Sequence, residues 1–145
     1  MGLIAVVYLA KKNLPFSMDK EGAEIDDRTG AIYFRDAEKK KQFPREQRQA
    51  IRIKLGTSYD IIDITKEIGP LLGAAESVLS GRVLYDVSHS GDLIELGDLD
   101  RLEVELTSVR ERVGQRASKV LTQFLSDMVS LVSAARNQRN PIVFV

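Results

Sequence analysis

Residues 98–135 read DLDRLEVELTSVRERVGQRASKVLTQFLSDMVSLVSAA, and the spacing of their apolar side chains decides the fold class. Leu99, Leu102, Leu106, Val109 and Val113 recur at steps of 3, 4, 3 and 4, which places them on one face of an α-helix. After Gly114, the residues Ala117, Leu121, Phe124, Met128, Leu131 and Ala135 repeat the pattern. The two joining steps, 4 and 4, suit one long helix kinked at Gly114 and also suit two separate helices. Val120, Leu125, Val129 and Val132 widen the second apolar face and predict deep burial. Asn140-Pro141 stops the helical pattern, and IVFV at 142–145 reads as a short closing strand.

Upstream, residues 3–9 are continuously apolar and rich in β-branched and aromatic side chains, which predicts a strand in the middle of a sheet. Pro15 closes the loop that follows. In AEIDDRTGAIYFR at 23–35, Asp27-Arg28-Thr29-Gly30 separates two short strand-like runs, and Gly30 suits the left-handed position of a β-hairpin. Pro44 suits the first turn of a helix and Gly56 its end, predicting a basic helix between them. A second helix is expected from Thr57 or Ser58, carrying Ile61, Ile62, Ile64 and Ile68 and broken at Gly69-Pro70, with residues 71–80 helical too. RVLYDVSHSGDLIEL at 82–96 fits a hairpin about Ser88–Gly91, or a strand followed by a loop. The sum is a single α+β domain over 1–145. It has a small, mainly antiparallel sheet with an N-terminal strand and a hairpin, packed against several helices including a long C-terminal helical region.

Composition removes whole classes of chemistry. With no cysteine, disulfide frameworks, thiol catalysis and zinc–thiolate sites are all excluded, and a cytoplasmic location is expected. Lys11 and Lys12 follow the apolar N-terminal run rather than precede it, the reverse of a secretory signal. That run is also well short of the about 20 residues a membrane helix needs, so no membrane partner is expected. His89 is the only histidine, and SHSGD around it matches no nucleophile elbow or other catalytic signature. Asp26 and Asp27 are not followed by calcium-loop spacing. Asp92, Glu95 and Asp98 converge on a metal only if their segment is helical, which Gly97 opposes. No glycine pattern fits a phosphate loop or a dinucleotide fingerprint. The expectation is a non-enzyme with no catalytic residue, metal or cofactor.

The formal net charge of zero hides a division. Residues 35–56 carry eight basic side chains against three acidic ones, whereas 57–113 carry twelve acidic against five basic. From Asp86 to Glu105 there are seven acids, with Arg101 as the single opposing charge. On a helix whose core face is Leu99, Leu102 and Leu106, the opposite side presents Asp100, Val104, Thr107 and Glu111, flanked by Glu103. Asp92, Glu95 and Asp98 lie just before it. A carboxylate stripe with an apolar residue in it suits docking against a cationic groove. Arg101 and Glu105, at i and i+4, are expected to pair. The basic segment 39–54 is the alternative lead, as a nucleic-acid or regulatory surface built on Lys39–Lys41, Arg45, Arg48 and Arg52. Its ring content is low, with Phe43 alone among the cations, and the whole chain is not basic, so nucleic acid is not the expected partner.

The stretches GLIAVVYL, AIYFRDAEKKKQFPREQRQAIRIKLG and SVLSGRVLYDVSHSGDLIEL give the chain its character. In them it resembles the small immunity proteins of bacterial polymorphic-toxin and contact-dependent growth-inhibition systems. That resemblance implies a cytoplasmic inhibitor that binds a cognate toxin domain by protein–protein contact and performs no reaction. Many such toxins are nucleases with basic substrate grooves, which an acidic stripe complements. The residues expected at the interface are Asp92, Glu95, Asp98, Asp100, Glu103 and Val104. A rival reading is a structural module that self-associates through the C-terminal helical face, which sedimentation at two concentrations resolves.

Overall fold

The computed structural model describes residues 2–73 and 77–145. Strand β1, Gly2–Tyr8, alternates between two environments, and this alternation organises the sheet. Leu3, Ala5 and Val7 enter the main core, while Val6 joins a smaller cluster on the opposite face with Leu93, Val143 and Tyr8. A short helix α1, Met18–Glu21, leads into a hairpin of β2, Ala23–Ile25, and β3, Ile32–Phe34. Gly30 takes φ +83° in its turn, as the sequence predicts. The hairpin forms its own two-stranded sheet and does not join β1.

Helix α2, Ala37–Gln42, is followed by a 3-10 turn at Arg45–Gln47 and then by strand β4, Gln49–Thr57. The helix expected between Pro44 and Gly56 is therefore a strand. The reason is periodicity: in Ala50–Leu55 apolar Ile51, Ile53 and Leu55 alternate with Ala50, Arg52 and Lys54, and the former pack on the core while the latter are exposed. Gly56 ends no helix; a Cβ there would meet Cβ of Asp60 at 2.8 Å, so the strand passes close over the next turn. Helix α3, Ser58–Ile68, begins at a capping box in which Thr57 and Asp60 exchange side-chain and backbone hydrogen bonds. It buries Ile61, Ile64 and Ile68.

The helix expected over 71–80 forms only as separate turns at its two ends among the described residues; residues 74–76 lie outside them. A 3-10 turn covers Gly69–Leu71, Leu72 is extended, and a single π turn spans Leu79–Val83. Neither alternative for 82–96 holds as written. An irregular turn comes first, and the strand β5, Leu93–Ile94, follows it. The C-terminal pattern resolves into two helices, α4 at Leu99–Val113 and α5 at Lys119–Gln138. Gly114, at φ +51° and ψ −133°, breaks the first. Ser118 caps the second by accepting from the N–H of Leu121 at 3.1 Å, and Glu67 holds Ser118 in turn.

Strand β6, Ile142–Phe144, completes a four-stranded antiparallel sheet in the order β4-β1-β6-β5, with β1 in the interior. Helices α3 and α5 lie across its core face, and α4 packs on α5. Phe124, Leu121, Met128 and Leu131 are fully buried there, and each contributes about 1.5–3 kcal/mol relative to exposure. The wide apolar face expected of α5 is narrower than its sequence suggests: Leu125 and Val132 are buried, but Val120 and Val129 are exposed. No helix among the described residues is long and apolar enough to cross a membrane.

Candidate protein-binding surface

Helix α4 is amphipathic, and its solvent side is what the sequence singles out. Asp100, Glu103, Val104, Thr107 and Glu111 line one shallow groove with Ser108 and Arg136, so the stripe expected from helical spacing exists as a surface. Val104 is 69% exposed, an apolar side chain left in water among carboxylates. A second groove of about 370 Å³ adjoins it between α4 and α5, with Leu106, Val129 and Val132 along its floor and Glu103, Arg110 and Arg136 at its rim. Val129 belongs to this groove because the helix pair does not close over it.

The charge on this surface is less one-sided than the sequence implies. Arg136 on α5 reaches across to Asp100 at 2.6 Å and to Glu103 at 2.6 Å. One guanidinium thus faces two carboxylates of the stripe and offsets part of their field. Both partners remain well exposed, so the bridge adds at most about 1 kcal/mol to stability. Nothing in the local sequence marks Arg136, because its partners lie 33 and 36 positions earlier on another helix.

The remaining acids are placed elsewhere. Asp98 pairs with Arg101 at 3.1 Å at the start of α4. The pairing expected between Arg101 and Glu105 does not form. Glu105 instead turns inward and accepts hydrogen bonds from the Ser77 hydroxyl and from the N–H groups of Val78 and Leu79. It serves the turn that packs Leu79 and Val83 into the core. Glu95 is exposed between β5 and a 3-10 turn at Leu96–Asp98, outside both grooves.

Asp92 is engaged inside the molecule. Its carboxylate accepts from the Tyr85 hydroxyl and lies 3.1 Å from Nδ1 of His89, while its carbonyl accepts from the N–H of Phe144. The His89 ring stacks on Tyr85 and lies tilted against Phe144, and its Nε2 faces the Val83 carbonyl at 3.0 Å. Nδ1 itself makes no hydrogen bond, despite the short distance to Asp92. The Ser88 hydroxyl donates to the Gly2 carbonyl, away from the imidazole. The histidine therefore braces the turn before β5.

The basic segment is distributed over three elements. Lys39 pairs with Glu21, Lys41 with Glu38 and Arg45 with Glu46. Arg48 donates to the Ile32 carbonyl at 3.2 Å and lies over the Phe34 ring, where Phe16, Phe34 and Phe43 pack with centroids 4.5–5.6 Å apart. Arg52 and Lys54 alone continue onto β4. Asp26 and Asp27 form no shared site, since the Asp26 carboxylate accepts from the N–H groups of Arg28 and Thr29 within the hairpin turn.

No protein-family model matches the chain, and neither the curated proteins nor the solved structures contain a significant match to it.

Proposed function

We propose that the chain is an immunity-type inhibitor that neutralises a bacterial toxin domain by binding it through the solvent face of α4 and its groove with α5. The observation that carries this reading is the exposed Val104 set among Asp100, Glu103 and Glu111 beside the apolar floor of the groove. A central apolar anchor within a charged rim is how stable protein interfaces are built. The carboxylates select a partner with a cationic surface, such as a nuclease groove, and speed its approach. Glu95 and Asp98 extend the acidic field toward β5. Asp92 contributes through the turn it holds. The inhibitor acts in the cytoplasm and needs no cofactor.

A nucleic-acid reading draws less support, because the basic run is divided among α2, a turn and β4, and several of its cations already face carboxylates. The test of the inhibitor reading is a comparison of the wild type with the Asp100→Lys/Glu103→Lys variant, both tagged, against a basic toxin domain encoded beside it. The wild type is expected to protect cells expressing that domain, while the folded variant binds at least tenfold more weakly and fails to protect. Equal protection by both would remove the acidic face from the interface.

A further inference from the structure

Strand β4 is an edge of the sheet, and its backbone has no neighbouring strand beyond it among the described residues. The direction of its hydrogen-bonding groups follows from the register. The N–H of Val145 donates to the Ile4 carbonyl, so Ile4, Val6 and Tyr8 turn their backbone groups toward β6, and Leu3, Ala5 and Val7 turn theirs toward β4. Ala5 lies opposite Ile53 and Val7 opposite Ile51, so those two isoleucines bond to β1. Arg52 and Lys54, each one residue away, point their N–H and C=O groups to the open edge. The pairing is regular from Ile51 to Lys54 and is interrupted by register shifts on either side.

The side chains around these free groups form a pattern. Arg52 and Lys54 are exposed on one face, and no ion pair of the described residues includes either. Ile51 and Ile53 on the other face are only partly buried, and Ile51 borders a depression of about 250 Å³ with Arg45, Glu46 and Gln49. We infer that this edge accepts an added strand, antiparallel like the rest of the sheet: an extended acidic segment of another polypeptide, with carboxylates opposite Arg52 and Lys54 and apolar residues beside Ile51 and Ile53. Residues directly opposite across a ladder share a face, so the charge pattern dictates alternation of acidic and apolar residues in the ligand. The same rule disfavours a second copy of the chain. Antiparallel pairing of β4 with itself about this segment sets Arg52 against Arg52, Arg52 against Lys54 or Lys54 against Lys54, and like charges in that position repel. Cations on an edge strand discourage indiscriminate pairing, and here they leave a carboxylate-bearing strand as the occupant that fits. This edge belongs to a different element from the α4–α5 face and does not depend on what that face binds.

The probe is a labelled eight-residue peptide of alternating glutamate and valine, titrated against the full chain. Two versions carry N-methyl groups, one on the glutamate amides that would face β4 and one on the valine amides that would not. A lysine–valine peptide controls for charge. The expected result is binding at least tenfold tighter than the lysine–valine peptide. Methylating the glutamate amides is expected to abolish that binding and methylating the valine amides to spare it, with exchange of the Arg52 and Lys54 amides slowed at least tenfold. The Arg52→Glu/Lys54→Glu variant, altered only at exposed positions and checked by its melting curve, should reverse the charge preference. Absence of binding at millimolar peptide would overturn the inference. So would indifference to methylation, or an oligonucleotide binding equally well without amide protection. Concentration-dependent dimerisation abolished by the same double variant would assign the edge to a second copy and overturn it too.

Discussion

Glu103 and Glu105 stand two residues apart in the same acidic run, yet the structure gives them opposite roles, and substituting each by alanine separates them. Glu105 accepts from the N–H groups of Val78 at 2.8 Å and Leu79 at 3.3 Å, and from the Ser77 hydroxyl, in a partly buried setting. Hydrogen bonds to a charged acceptor contribute about 1.5–3 kcal/mol each, and orphaned partly buried N–H groups add to the loss. The longer of the two backbone bonds and the partial exposure reduce the total, so Glu105→Ala is expected to cost about 2–4 kcal/mol. Glu103 makes one exposed pair with Arg136, and Glu103→Ala is expected to cost less than about 1 kcal/mol. For a chain of this size the first change corresponds to a fall in melting temperature of about 4–16 °C. The chain has no tryptophan, so urea and thermal unfolding are followed by far-ultraviolet circular dichroism. Glu105→Gln, which keeps one acceptor oxygen, should recover about half of the loss. Equal stability of the two alanine variants would refute the division of this run into structural and interface acids.

Three further outcomes follow from named contacts. Arg139 ends α5 in the left-handed conformation at φ +53°, where a side chain is strained, so Arg139→Gly should raise unfolding stability by about 1 kcal/mol in urea titrations. Arg136→Ala removes the cation between Asp100 and Glu103 and should speed association with a cationic partner several-fold at low salt in stopped-flow measurements, with the gain lost at high salt. Burial first, and then the neighbouring Tyr33, hold the Tyr8 phenol above its ordinary pKa, against the opposing pull of Arg48 and Arg52. Since the folded state favours the neutral phenol, this stability is present below about pH 10 and is lost as pH rises through the higher folded value. Ultraviolet titration should show a late-ionising tyrosine that is lost in Tyr8→Phe.

What was legible in the sequence follows from which signals are local. The 3,4 spacing of Leu99–Val113 and the turn residues Asp27–Gly30 each specify their element through neighbours within a few positions, and both elements form as read. Residues 44–56 misled because Pro44 and Gly56 resemble helix punctuation, while the alternation of Ile51, Ile53 and Leu55 with Arg52 and Lys54 carries the correct period. The stripe of Asp100, Glu103, Val104, Thr107 and Glu111 was legible because a helix fixes its own faces. The reach of Arg136, the inward turn of Glu105 and the capture of Asp92 by Tyr85 and His89 were not. The first two depend on residues brought close by packing, and the third on an irregular turn that has no sequence period.

The most direct measurement is affinity capture from the native organism, run in parallel with the wild type and the Asp100→Lys/Glu103→Lys variant, each treated with nuclease and washed at moderate salt. The account predicts one basic polypeptide retained by the wild type and lost from the variant, toxic when expressed alone and harmless when co-expressed with this chain. An identical set of proteins on both, or recovery of nucleic acid alone before nuclease treatment, would contradict it.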